Sequence, residues 1–313
     1  MEIGGYFELE TLKGKEYYDY LAFNSARNCL QFIVKKRNIK QIYIPYYLCL
    51  SVKETLEYEN VAIIYYHIDS NFMPMIDDYN GKDYVYIVNY FGILKKEQIK
   101  SLSEKYKIIL DNVHCFFDEG FDNIDTIYSC RKYFGVTDGA YLYSNLSVEE
   151  EYKIAKSLSK MNYLIGRYEE NSGSQFYNLF VESEDSLIKN DIQLMSKVTH
   201  NLLKAIDYNK VKEVRYSNYK YLSEKLNSYN RLELKDRETL FMYPLLSNNG
   251  ESIRKELISN NIYIPHLWPN LDEFPLNDFE KDIYDNLILL PIDQRYDTND
   301  MDYIYKNIFN ILH

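Results

Sequence analysis

Residues 108–143 read IILDNVHCFFDEGFDNIDTIYSCRKYFGVTDGAYLY, and this stretch decides the fold. The apolar run Ile108-Ile109-Leu110 stops at Asp111. A second run, Thr126-Ile127-Tyr128, stops at Ser129, and Arg131 and Lys132 follow closely. A Gly-containing loop then leads to a third run, Ala140-Tyr141-Leu142-Tyr143. Short apolar runs bounded by turn signals predict buried strands. An acid at the carboxyl end of one strand and an amine just past the next would face the same crevice. In open α/β sheets that crevice is where ligands bind.

Upstream, Asn24-Ser25-Ala26-Arg27-Asn28 precedes an amphipathic run. Leu30, Ile33 and Val34 share one face of it, and Lys35, Lys36 and Arg37 close it. Asn24 or Ser25 suits the N-cap, and the basic end suits the helix dipole. A helix N-terminus with small residues can bind phosphate through its N–H groups, although a plain capped helix fits the same residues. Gln41–Pro45 predicts a strand stopped by Pro45. Ser51–Glu57 and Lys96–Tyr106 predict helices, and Val61–His67 and Tyr84–Asn89 predict strands. This alternation through residue 110 argues for a largely parallel, doubly wound sheet.

Downstream, residues 148–230 are polar and helical in pattern, with an exposed excursion at Met161–Ser174. Helical runs are expected at Asp191–Ile206 and Val211–Leu226. From Leu232 the alternation resumes, with strands at Leu240–Leu245, Ile262–Pro265 and Leu287–Pro291 and helices at Glu251–Ser259 and Asn299–Ile311. The expected organisation is a large domain over residues 1–205, with an N-terminal arm, and a smaller C-terminal α/β domain over 206–313.

Composition narrows the function. The 313 residues are 46% hydrophobic and 27% charged, ordinary for a globular protein. The 34 Tyr, together with abundant Asn, Ile and Lys, are read as codon bias of an AT-rich genome. A net charge of −11 argues against a general nucleic-acid binder. The four cysteines, Cys29, Cys49, Cys115 and Cys130, show no ligand spacing and are expected to be reduced. The five His share no ligand spacing either, so no metal site is expected. No apolar run approaches the roughly 20 residues needed to cross a bilayer. A cytoplasmic protein without membrane partners is expected. GxGxxG, GxxxxGK[ST], GxSxG and HExxH are all missing.

An acid and an amine in one crevice suit a cofactor with a basic ring nitrogen and an aldehyde. Pyridoxal phosphate (PLP) has both. A carboxylate such as Asp111 keeps the ring nitrogen protonated, which makes the ring an electron sink. Lys132, beside the cation Arg131, would have a lowered pKa that helps it attack an aldehyde. A strand-end cap for Asp111 and a surface charge for Lys132 are the alternative roles.

Through these residues the chain resembles the DegT/DnrJ/EryC1/StrS sugar aminotransferases, of the aspartate-aminotransferase fold type I. The resemblance runs from about Asn24 to Tyr143, and more loosely to the C-terminus. It implies an α/β fold whose large domain has a mixed, mostly parallel sheet, with a smaller C-terminal domain. It implies that Asn24, Ser25, Ala26, Arg27 and Ser129 cradle the cofactor phosphate and that Asp111 holds the ring nitrogen. It places His114 at the ring oxygen and makes Lys132 the covalent attachment point and catalytic base. An aromatic residue stacks on the ring in the family. Direct counting puts Cys49 at that place, and Tyr47 is the favoured aromatic. Arg295, in the island Asp293-Gln294-Arg295-Tyr296, could hold an acidic donor's carboxylate, and His266 is a second substrate-binding candidate.

This sequence departs from the pattern at Ala26 for Gly, at Asn89 for His and at Asp138-Gly139-Ala140 for Gly-Gly-Ala. Its Ser129 and Lys132 are also closer together than the corresponding pair. The implied activity moves an amino group from a donor such as glutamate to a keto-sugar nucleotide, for surface polysaccharide synthesis, in a homodimer. A PLP enzyme of another type, such as a sugar dehydratase or a lyase, is one alternative. A non-catalytic binding protein of the same fold is another. In the dehydratase variant His replaces the cofactor-bound Lys, and position 132 is Lys.

Overall fold

The fold was obtained as a computed structural model that describes residues 3–188, 191–234, 240–269 and 271–312. Its centre is a ten-stranded sheet. The strands in chain order are β1 Leu21–Phe23, β2 Gln41–Pro45, β3 Ala62–Ile68, β4 Pro74–Met75 and β5 Tyr84–Val88. They continue as β6 Lys107–Asp111, β7 Asp125–Ser129, β8 Ala140–Tyr143, β9 Lys153–Ile154 and β10 Gln193–Leu194. The spatial order is β4-β3-β2-β5-β6-β7-β8-β1-β10-β9.

The run β3-β2-β5-β6-β7 is parallel throughout. Every residue of β5 and β7 is buried, as expected of parallel strands covered on both faces. From β2 the chain goes to β3 on one side and to β5 on the other, which makes a topological switch point. Pro45, Ile68, Val88, Asp111 and Ser129 end these strands at a common edge. Beyond β7 the sheet turns antiparallel, with β8 paired to β7 and β1 to β8.

The helices are α1 Ala26–Lys36, α2 Leu50–Tyr58, α3 Lys96–Lys105, α4 Asn162–Glu170 and α5 Tyr177–Asp185. The rest are α6 Lys197–Leu203, α7 Tyr208–Leu226, α8 Gly250–Ser259, α9 Asp278–Asn286 and α10 Thr298–Leu312. Two more strands, β11 Tyr243–Leu246 and β12 Leu287–Leu290, form a separate antiparallel pair. Leu222, Leu245, Ile253, Leu257, Ile288 and Met301 make a second core around it. Among the described residues no helix is long and apolar enough to cross a membrane.

Three local departures from expectation have clear causes. Ile262–Pro265 is not a strand. Asn261 takes a left-handed φ of 60°, and the Ile262 N–H returns to the Leu257 carbonyl at 2.8 Å, so the segment finishes α8. Asp191–Ile206 is not one helix. Ser196 caps α6 by accepting from the Thr199 N–H at 3.1 Å, which leaves Gln193–Leu194 free to join the sheet beside β1. Helix α9 was not anticipated, although its capping box is written in the sequence as Asn277 and Glu280. The fully buried Glu280 also accepts the Ile68 N–H at 2.9 Å, which ties α9 to the end of β3.

The loop after Lys132 is fastened by Asp138. Its buried carboxylate accepts the Ser196 N–H at 2.8 Å, the Ser196 hydroxyl at 2.7 Å and the Thr199 hydroxyl. Next to it, Gly139 has a φ of +117° and gives its N–H to the Asn24 carbonyl at 2.6 Å. A Cβ there would lie 2.9 Å from the Thr199 methyl, so only glycine fits. Asp138→Ala strands the buried donors of Ser196 and Thr199. It should lower unfolding stability by roughly 3 kcal/mol or more in urea titrations, whereas Lys100→Ala on the exposed face of α3 should leave stability unchanged.

Candidate active site

Asp111 ends β6 in a place that solvent does not reach. One carboxylate oxygen accepts the Val113 N–H at 3.0 Å and the other accepts the Tyr86 hydroxyl at 2.7 Å. Burial pushes the Asp111 carboxyl above its usual range, against the opposing pulls of these two donors and of Lys132. An acid in this state attracts any cationic group that can reach it.

Lys132 lies in the single turn Cys130–Lys132 that directly follows β7. This tight turn lets an amine only three residues past Ser129 reach the same edge as Asp111. Its Nζ lies 5.1 Å from the centre of the Phe241 ring. Among the described residues no carboxylate stands within ion-pair distance of it. Burial lowers the Lys132 pKa, and Arg131 and Arg27 lower it further, while Cys49 and Asp111 act the other way. A depressed pKa leaves more of the amine unprotonated and nucleophilic near neutral pH.

His114 is buried three residues past Asp111. Its ring lies parallel to Phe241 at 4.8 Å and nearly parallel to Phe91 at 5.5 Å and Trp268 at 6.4 Å. The Phe91 N–H points to Nδ1 at 3.4 Å, and Nε2 is buried without a partner. Burial, helped by the charge of Lys132, holds the His114 pKa well below the usual imidazole range. The ring is therefore neutral, and with Nδ1 as acceptor its proton sits on Nε2 as an unused donor. Phe91 takes a left-handed φ of 53°, a conformation that costs an aromatic residue about 1–3 kcal/mol and is typical of functional sites.

A cationic group completes the site. Ser25 caps α1, accepting the Asn28 N–H at 3.3 Å, and the first turn of α1 contains no acid. Arg27 sits in that first turn, where the helix dipole already makes the potential positive. Its Nε is buried without a partner, and its charge acts on both Arg131 and Lys132. Arg131 pairs with Glu184 of α5. Ser129 is buried at the end of β7. A helix N-terminus with a cation in its first turn is a ready anion site.

Not every candidate from the sequence meets at this point. Asn24 is buried and holds the backbone, donating its N–H to the Gln193 carbonyl at 2.9 Å. Ala26 opens α1. Tyr47 is fully buried, gives its hydroxyl to the Leu267 carbonyl at 2.8 Å and meets Trp268 at 5.2 Å with the rings inclined by 63°. Cys49, by contrast, is close enough to Lys132 to influence its charge. His266 bonds through Nε2 to the Tyr284 carbonyl at 2.8 Å. Arg295 clasps Asp293 with two bonds of 2.6 and 2.8 Å.

Other contributors have no role assigned to them by the sequence. Tyr86, Phe241, Trp268 and Glu184 come from distant segments and carry no local signal. Arg215 is fully buried, lies 4.4 Å over the Tyr133 ring and holds the Leu240 and Phe241 carbonyls at 3.2 Å. It thereby fixes the ring that faces both Lys132 and His114. In the sequence Arg215 stands out through the segment Arg215-Tyr216-Ser217-Asn218-Tyr219, which resembles the Arg-rich helix of the sugar aminotransferases.

This donor set fits PLP. A buried acid suits a ring nitrogen, an unused imidazole N–H suits a ring oxygen, an amine of lowered pKa suits an aldehyde, and the cations at α1 suit a phosphate. The fold is that of the PLP-dependent transferases of fold type I. Among solved structures it is similar to a DegT/DnrJ/EryC1/StrS aminotransferase from Brucella abortus, with a TM-score of 0.61 and 13% identity, over 93% of this chain and 85% of that one. It is similar to PseC of Helicobacter pylori, an aminotransferase involved in the biosynthesis of pseudoaminic acid, with a TM-score of 0.64 and 13% identity over 93% and 86%. It is also similar to NtdA of Bacillus subtilis with bound cofactor PMP, with a TM-score of 0.63 and 11% identity over 95% and 74%. No family model matches the sequence, and no curated protein matches it. At these identities the likeness establishes the fold.

His114 also carries a pH signature. In the folded chain it resists protonation, whereas in the unfolded chain it takes a proton near the ordinary histidine value. Stability is then present above about pH 6.5 and lost below it, by roughly 2 kcal/mol at pH 5 from this group alone. Denaturation at pH 7 and pH 5 should show a smaller acid loss in His114→Gln than in the wild type.

Proposed function

We propose that this chain is a PLP-dependent aminotransferase that moves an amino group from an amino-acid donor such as glutamate to a keto-sugar nucleotide. The observation that carries the proposal is the meeting of Lys132, Asp111 and neutral His114 at the carboxyl edge of a fold type I sheet. Structural neighbours such as the sugar aminotransferase CalS13 of Micromonospora echinospora and PseC, the aminotransferase involved in pseudoaminic acid biosynthesis, support the choice of acceptor. The product would serve surface polysaccharide synthesis. The working form would be a cytoplasmic homodimer, with residues 1–205 as the large and 206–313 as the small domain of each subunit.

When bound, PLP supplies an aldehyde for the amine and a ring that accepts the electron pair of the broken C–H bond. Lys132 would hold that aldehyde through Nζ with loss of water and, once the donor amine has taken its place, would serve through the same Nζ as general base and acid for the proton of the donor carbon. Its lowered pKa suits both tasks. Asp111 holds the proton on the ring nitrogen, and this cation relieves the cost of burying its charge. His114 donates Nε2–H to the ring oxygen. Ser25, Ala26, Arg27 and Ser129, with Asn24 shaping the turn, hold the phosphate. Cys49 or Tyr47 borders the ring. His266 and Arg295 recognise substrate only by leaving their present partners, Tyr284 and Asp293.

Lys132→Ala should abolish transfer from glutamate to any keto-sugar nucleotide that the wild type accepts, a loss of at least ~10⁴-fold in kcat. Asp111→Asn should cost ~10²-fold or more while the chain stays folded. Assays of amine formation on the sugar decide the matter. Normal turnover by Lys132→Ala would refute the assignment.

A further inference from the structure

Arg131 stands immediately before the amine of the site, and its partner Glu184 comes from α5, in the excursion between β9 and β10. The Arg131 Nε is buried and has no partner, as is the Nε of Arg27 nearby. Arg27 and Arg131 are the fixed cations of this group, beside the amine of lowered pKa, and Glu184 is the carboxylate paired with Arg131. With Glu184 in place one guanidinium charge is left over, and with Glu184 withdrawn the two guanidiniums stand together at the N-terminus of α1. A phosphate monoester carries about −1.5 to −2 near pH 7. The group is thus charge-matched to a phosphate, but only if Glu184 withdraws, because two anions on one guanidinium repel.

Helix α5 is able to withdraw. Of its nine residues only Ser183 is buried, and Tyr177, Phe180 and Val181 remain exposed. An element with so little buried surface opens at low cost. A guanidinium also offers a fixed pair of donors that suits a phosphate better than a single carboxylate oxygen.

We propose that Arg131 is a phosphate ligand of this site and that Glu184 is the internal anion it exchanges for the phosphate, so that α5 is displaced when a phosphate monoester binds. The inference rests on the cofactor assignment above for the identity of that monoester, although the exchange itself concerns only the anion.

The test uses the full chain and calorimetric titration with inorganic phosphate, PLP and unphosphorylated pyridoxal. Glu184→Gln should tighten phosphate and PLP by about tenfold, in the ordinary range of coupling between competing sites. It should leave pyridoxal unchanged. Arg131→Gln should weaken phosphate and PLP by a similar factor, and Arg131→Lys, which keeps the charge but loses the fork, should fall between. In the wild type, phosphate should speed proteolysis within residues 162–188. A Glu184→Gln chain whose phosphate affinity stays within about twofold of the wild type would overturn the inference. So would phosphate that protects α5 from cleavage. Inorganic phosphate does not react with Lys132. If PLP forms no adduct there, the proposed activity fails while the phosphate titration still decides this exchange.

Discussion

Everything in this structure turns on a carboxylate held where water cannot solvate it. Asp111 has two neutral donors, the Val113 N–H and the Tyr86 hydroxyl, and a lysine acting from further away. Burying an acid without a full counter-charge is unfavourable. Such a group persists where a cation is supplied from outside. The same edge holds an amine whose pKa is lowered and an imidazole that stays neutral. The lysine and the imidazole are pushed in the directions that PLP chemistry needs, and Asp111, which burial alone pushes toward its neutral form, would be held ionised by the cation of the ring.

The shortened lysine loop is the feature that sets this chain apart from the pattern it resembles. Its geometry is rescued by compensation. Lys132 gains reach because the chain turns at once after β7, and the loop is pinned behind it by Asp138, which gathers donors from Ser196 and Thr199. An Asp where the pattern has Gly is therefore an anchor, and Gly139 keeps the one backbone conformation that the anchor demands. The added cation, Arg131, lowers the lysine pKa.

Much of this was legible in the sequence, for a physical reason. Asp111, Ser129 and Lys132 mark the ends of apolar runs, and parallel strands must end together at one edge, so strand ends alone bring them close. Ser25 announced its cap in the same way, through its position before an amphipathic run. The residues that escaped notice act across the fold. Tyr86 reaches Asp111 from the neighbouring strand, Phe241 and Trp268 arrive from the C-terminal half, and Glu184 from the polar helical stretch between β9 and β10. Asp191–Ile206 misled because its helical spacing is real, yet the Ser196–Asp138 bonds outweigh it. At the place of the aromatic expected over the cofactor, the counted residue Cys49 acts on the charge of Lys132, while Tyr47 is tied to the Leu267 carbonyl.

The account stands or falls on whether Lys132 joins an aldehyde at this edge. The most direct measurement is the absorption spectrum of the purified chain with added PLP, followed by borohydride reduction and peptide mass mapping. The account predicts an absorption band of the bound cofactor and a pyridoxyl group fixed on Lys132 alone. No band, or an adduct scattered over surface lysines with Lys132 unmodified, would contradict it.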